Sequence, residues 1–233
     1  MIRSAVKRLF PGMTWKSVTI GSVILGSFGA GYVFLEQEKK LMAKKLRLES
    51  LRKTIGGAFN LTDHHGQSFG SDKLLGRWVL IYFGFTHCPD ICPEELEKIT
   101  DVINVLDANP SITKVEPLFV SVDPARDTPQ AVEKYLKDFH PRLLGLTGSQ
   151  EDVNKVTQLF RVYSHAAIPD EHNEYIVDHT IITYLINPDG EFVDYYMRSN
   201  SVEQIVKSVI AHMKDYEVLK KDSLVSRLLP ISS

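Results

Sequence analysis

Cysteine is nearly absent: the 233-residue chain has two, Cys88 and Cys92. Two are too few for a disulfide scaffold, so any core here is held by apolar burial. A surplus of charge is missing as well. With 27 Lys and Arg against 29 Asp and Glu the net charge is −2, and no basic face dominates. That balance argues against a nucleic-acid partner, which recruits proteins through a positive field. Acidic residues are missing altogether from residues 1–35, where Arg3, Lys7, Arg8 and Lys16 supply the charge. What is present is globular, with 43% hydrophobic and 24% charged residues, enough for one domain with attachments.

Residues 17–35 read SVTIGSVILGSFGAGYVFL, 19 residues without a charge. At about 1.5 Å rise per residue this just spans a hydrocarbon core of about 30 Å, so it reads as a single transmembrane helix. A secretory signal would have a shorter apolar stretch and a small-residue cleavage site, whereas here the charged stretch 36–45 follows. The basic, acid-free residues 1–16 fit a mitochondrial targeting segment. Ser22 with Gly26, and Ser27 with Gly31, have the small-xxx-small spacing that lets two anchors pack, a seam for a homodimer. Glycine is also simply common in membrane helices. Lysines and arginines flank the span on both sides, and their count favours a cytoplasm-like or matrix-like C-terminal side. Residues 36–53 read as a charged helical tether, 54–215 as the domain and 216–233 as a tail.

The domain opens with Phe59-Asn60-Leu61-Thr62-Asp63-His64-His65-Gly66-Gln67-Ser68-Phe69, a hairpin that turns at His64–Gly66. The paired histidines invite a metal reading; an Asx-rich turn closed by glycine is the plainer one. Residues 78–85 form an apolar run that predicts a buried strand, and 93–106 carry Leu96, Ile99, Ile103 and Leu106 at helical spacing. Residues 117–122 predict a second strand. Thr128-Pro129 opens a helix with proline at its first position, and another starts at Ser149. Residues 181–186 and 192–197 flank Asn187-Pro188-Asp189-Gly190, a hairpin turn. Ser201 and Gln204 form a capping box for a last helix that buries Val202, Ile205, Val206, Val209 and Ile210. Strand–helix–strand implies parallel pairing. The order βαβ, an insertion, then ββα predicts an α/β fold: a thioredoxin-like mixed sheet flanked by helices.

Both cysteines fall where the first core strand hands over to its helix. A helix start stabilises a thiolate through free N–H groups and the dipole. Such a pair can exchange electrons with a disulfide, bind a soft metal ion, or merely pack. Packing is the weakest reading, because Pro89, Asp90 and Pro93 constrain the loop. Three residues lie between the sulfurs, where thioredoxins have two, so both share a helix face if the first turn reaches Cys88. Asp90 is then the expected cap, with Pro93 in the first turn where no N–H is needed.

Two thiolates leave a metal site at least one ligand short. His87, beside Cys88, points away on an extended backbone. His140 and His212 read as surface residues, and His165 and His172 fall in a loop. His179 directly precedes the strand at 181–186, where thioredoxin-like folds ordinarily hold a cis-proline facing the dithiol. The chain has Val177-Asp178-His179-Thr180 there and no proline. An imidazole at that place suits a third ligand, with a hydrogen-bonded loop histidine as the alternative.

Three separated stretches then carry a resemblance: Gly84-Phe85-Thr86-His87-Cys88-Pro89-Asp90-Ile91-Cys92-Pro93, Ser121-Val122-Asp123-Pro124-Ala125-Arg126-Asp127-Thr128-Pro129, and Asp178-His179-Thr180. Together they resemble the Sco family, mitochondrial inner-membrane proteins that assemble cytochrome c oxidase. The likeness covers roughly residues 50–215. It implies that Cys88, Cys92 and His179 bind one copper ion. It further implies a domain in the intermembrane space that matures the dinuclear copper site of oxidase subunit II, supplied by a small copper-donor chaperone. That placement opposes the charge count.

The donor set agrees with the implication: two thiolates and an imidazole hold Cu(I) well and can hold Cu(II). A disulfide between Cys88 and Cys92 would exclude the metal. Adjacency makes Asp178 a candidate to orient His179. For the Asp123–Asp127 stretch, Asp127 or Thr128 as a helix cap is the plain reading and partner contact the other. Two functions stay open, a copper chaperone without turnover and a thiol–disulfide reductase that prepares client cysteines. A peroxiredoxin pattern is absent, and a structural zinc site lacks an evident fourth ligand.

Overall fold

A computed structural model describes residues 15–52, 54–166, 177–179 and 181–228. The chain divides after Ser50 into two compact units. In the first, α1 is the long helix Trp15–Arg52. Its backbone covers the expected anchor at 17–35, while the side chains of 15–28 lie outside the described residues. Among the described residues no helix is long and apolar enough to cross a membrane.

The second unit is built on seven strands in the order β2-β1-β5-β4-β3-β8-β9. β1 (Asn60–Asp63) and β2 (Ser68–Gly70) form the expected hairpin, and a single 3-10 turn (Ser71–Leu74) leads to β3 (Trp78–Gly84). Every residue of β3 is buried. That is why it reads as one apolar run, since a strand covered on both faces has no reason to alternate. α2 (Ile91–Asp107) crosses over to β4 (Val115–Ser121), which pairs with β3 in parallel. Leu96, Ile99, Val102, Ile103 and Leu106 bury one face of α2. At about 1.5–3 kcal/mol for each such side chain, this face outweighs helix propensity in fixing α2.

α3 (Pro129–Leu136) starts as the sequence predicts: Thr128 Oγ1 accepts the Ala131 N–H at 3.2 Å and proline occupies the first turn. The sequence reading had no counterpart for β5 (Leu144–Thr147), which pairs parallel to β4 and antiparallel to β1. α4 (Gln150–Leu159) is capped by Ser149, whose Oγ accepts the Asp152 N–H at 3.1 Å. β6 (Ser164–Ala166) and β7 (Val177–His179) form a small separate ladder that sets His179 opposite Ser164. β8 (Ile182–Ile186) runs antiparallel to β3, with Thr183 opposite Tyr82, and turns through Gly190 into β9 (Phe192–Met197).

α5 (Val202–Leu228) opens with the expected box, Ser201 N–H to Gln204 Oε1 at 3.0 Å and Gln204 N–H to Ser201 Oγ at 3.3 Å. Ile205, Val206 and Val209 are buried, while Val202 and Ile210 are half-buried. The helix runs on to Leu228, into the stretch read as a tail. There Tyr216 meets Trp78 edge-on, with ring centroids 5.6 Å apart.

Candidate metal centre

β3 ends at Gly84, and four residues later the chain delivers Cys88 at the same end of the sheet where β8 begins. The segment 86–90 is a tight turn, with the Cys88 N–H donating to the Phe85 carbonyl at 3.3 Å. The helix begins at Ile91, so Cys88 stands outside it and the two sulfurs do not share a helix face. Asp90 occupies the cap position but its side chain makes no capping bond. Instead the Cys92 N–H, in the first turn of the helix, points at Cys88 Sγ across 3.4 Å. Sulfur takes the place expected for a carboxylate oxygen.

The two thiols live in different surroundings. Cys88 is half-exposed, whereas Cys92 is 0% exposed. Burial pushes the Cys92 thiol up to about 12, against the opposing pull of hydrogen bonds from Tyr82 and from the Phe85 backbone. The Tyr82 hydroxyl lies 3.5 Å from Cys92 Sγ. Desolvation disfavours the thiolate more than those two bonds favour it.

A buried carboxylate holds the loop in place. Asp127, with its side chain fully buried, accepts from the Thr86 N–H at 3.0 Å, the Thr86 hydroxyl at 2.6 Å and the Ser121 hydroxyl at 2.6 Å. Its own carbonyl accepts from the Thr147 hydroxyl at 2.7 Å. The loop before Cys88 is thus tied to the ends of β4 and β5. Asp123 pairs with Arg126 Nε at 2.6 Å, and the Arg126 guanidinium lies over the Phe85 ring at 5.9 Å. Thr128 is the helix cap of this stretch and Asp127 is its anchor.

The histidines sort clearly. The His87 ring turns to Thr86 Oγ1 at 3.1 Å and Asp127 at 3.5 Å, half-exposed. His64 Nδ1 accepts the Gly145 N–H at 2.9 Å, and Asp63 Oδ1 accepts the His65 and Gln67 N–H groups, so the hairpin pair is a hydrogen-bonded turn. Burial holds His64 below its ordinary value, with the charge of His65 adding to it. His140 is not a surface residue: it is 8% exposed, and its Nδ1 accepts the Arg142 N–H at 3.1 Å. His212 is not one either, since Nε2 lies 3.0 Å from the buried Asp194 carboxylate. The backbone of His179 ends β7, three residues before Ile182. The antiparallel register of β8 on β3 therefore brings it to the sheet end that carries the dithiol. The side chains of His165, Asp178 and His179, and all of His172, lie outside the described residues. Among the described residues no group of three His, Cys, Asp or Glu could hold a metal.

Sequence reasoning passed over Tyr82 and the Asp127 web. A signal for Tyr82 was there, two residues before Gly84 on the same strand face. Asp127 stood out in the Ser121–Pro129 motif as a cap or partner contact, but its tie to Thr86, 41 residues away, left no local signal.

A family model described as SCO1/SenC matches residues 48–214. The chain belongs to that family. Its sequence is 51% identical over 201 residues to the mitochondrial SCO2 homologue of Danio rerio, covering 84% of this chain and 72% of that one. Among solved structures, ScoI of Arabidopsis thaliana with copper bound is 42% identical, with TM-score 0.66, covering 70% of this chain and 99% of that one. The structure of BsSco is 25% identical with TM-score 0.53, covering 67% of this chain and 92% of that one. BsSco is described as having a disulfide switch and as a member of the Sco family of cytochrome c oxidase assembly proteins. These likenesses cover the thioredoxin-like unit of the SCO1/SenC fold, in which the dithiol follows the first core strand.

Proposed function

We propose that this chain is a membrane-anchored copper chaperone that helps mature the dinuclear copper site of cytochrome c oxidase subunit II. It takes one copper ion, as cargo from a small donor chaperone, on Cys88, Cys92 and His179. The observation that carries the reading is the pairing of an accessible and a sealed sulfur at the sheet end to which β7 brings His179. Soft thiolates with an imidazole suit Cu(I) and leave an approach open for transfer. The copper-bound relative supports the choice of ion. Residues 17–35 serve as the anchor, in the mitochondrial inner membrane with the second unit in the intermembrane space. The mitochondrial relatives and the acid-free start support the organelle, and the family resemblance supports the orientation against the charge count.

Replacing His179 by Ala in the full chain should weaken copper binding about 10- to 100-fold, taking the usual cost of a disturbed metal shell as a floor. The circular dichroism of the metal-free protein should not change. Equal affinity in a competition titration, or sulfur-free coordination by X-ray absorption, would refute the ligand set.

The unequal burial of the sulfurs favours a second activity on the same residues. The Cys88 thiolate attacks one sulfur of a client disulfide and releases the other as a thiolate, forming a mixed disulfide. Cys92 then loses its proton, attacks Cys88 Sγ and frees the second client sulfur, so two electrons pass to the client. The exposed thiol is placed to attack and the buried one to resolve. Metal-free, reduced protein should reduce a client disulfide peptide to its dithiol; no exchange under a glutathione buffer leaves the chaperone alone.

A further inference from the structure

Tyr82 and Gly84 are two apart on β3, so their side-chain directions fall on one face of the sheet. A Cβ built on Gly84 would come within 2.9 Å of Tyr82 Cε1, 3.0 Å of Cys92 Sγ and 3.0 Å of Phe119 Cε2. The missing methyl leaves the gap through which the phenol ring reaches the helix. Tyr82 is fully buried, its hydroxyl 3.5 Å from Cys92 Sγ. Phe119, paired with Tyr82 in the parallel register, closes the other side with ring centroids 6.5 Å apart. A buried tyrosine hydroxyl seeks a partner, and this one meets Cys92 in the first turn of α2. Its bond to a neutral thiol is modest. To a sulfur carrying thiolate charge it becomes charge-assisted, roughly twice as strong.

We propose that Tyr82 is a positioning residue for Cys92: its hydroxyl orients that sulfur and stabilises the charge it carries, as metal ligand and in thiol exchange. Cys92 is sealed from water, so the protein supplies the donors that solvent gives Cys88. The proposal rests on the copper reading above for its metal arm, and on the dithiol alone for its exchange arm.

The test uses the full chain in detergent. Tyr82→Phe keeps the ring and removes the donor. Copper(I) affinity should fall about tenfold or more, while the melting point of metal-free protein shifts little. In copper(II)-loaded protein the sulfur-to-metal charge-transfer band should move to longer wavelength, because the sulfur lone pairs rise in energy. A 3-fluorotyrosine placed at position 82, whose phenol is a better donor, should move the band the other way. Affinity within a factor of two of the parent, with an unmoved band, overturns the proposal and leaves the copper site standing. A parent that binds no copper removes the copper reading instead. The exchange arm then decides: the equilibrium constant with glutathione should shift about two- to tenfold toward the disulfide in Tyr82→Phe, and an unshifted constant overturns the proposal.

Discussion

At the scale of single residues, the site depends on one missing methyl and one buried carboxylate. Gly84→Ala would push a carbon into Tyr82, Cys92 and Phe119 at 2.9–3.0 Å, inside a face that has no slack. Overpacking of this kind costs about 1–3 kcal/mol. For a unit of this size that is a fall of about 2–12 °C in melting temperature, measurable by calorimetry. Asp127→Ala should be worse for the loop than for the sheet. It leaves the Thr86 and Ser121 hydroxyls without their acceptor, at about 1–3 kcal/mol for each buried group orphaned. Hydrogen exchange should then rise at residues 86–90 before it rises in β3. Uniform exchange across both would mean that Asp127 stabilises the sheet rather than the loop.

At the scale of elements, the buried sulfur ties metal binding to pH. Cys92 must lose its proton to become a ligand, and burial has raised its thiol to about 12. Below that value each unit of added pH makes deprotonation tenfold easier, so apparent copper(I) affinity should climb by up to about tenfold per unit between pH 7 and 9. A flat profile in a competition assay would contradict a buried thiol ligand. The sign for stability is opposite. A group whose folded value lies above its unfolded value of about 8.5 favours folding below that unfolded value, and the benefit drains away as pH rises toward 12. Metal-free, reduced protein should lose denaturant resistance above pH 9. The elements themselves were largely legible, because β3, β8, β9 and the capped helices carry period and punctuation in their own residues. β5 was not: it is four residues long, and its Gly145 is required because a Cβ would meet Val132 at 2.4 Å and Leu136 at 2.6 Å. The start of α2 was misread for a related reason. Asp90 is the expected cap by residue type, yet the loop that Asp127 ties down brings Cys88 Sγ to the Cys92 N–H instead. Contacts closed by the fold leave no local trace in sequence.

At the scale of the whole molecule, the C-terminal residues belong to α5 through Leu228 rather than to a patternless tail. Tyr216 packs edge-on against the buried Trp78, at the opposite end of β3 from the dithiol. Aromatic pairs of this kind add about 0.5–1.5 kcal/mol beyond their burial. Ending the chain at residue 215 should therefore lower stability to urea while leaving copper stoichiometry at the parent value. A loss of binding would mean that α5 reaches the site through the sheet. The capping of α2 by sulfur has one more consequence. A helix that loses its cap frays by about 0.5–2 kcal/mol at its first turn. Once Cys88 is committed to a disulfide, its sulfur is a poorer acceptor for the Cys92 amide. The start of α2 thereby becomes a gauge of what the dithiol is doing, one that a partner can feel as a softened surface and an NMR spectrometer can read in a single amide proton.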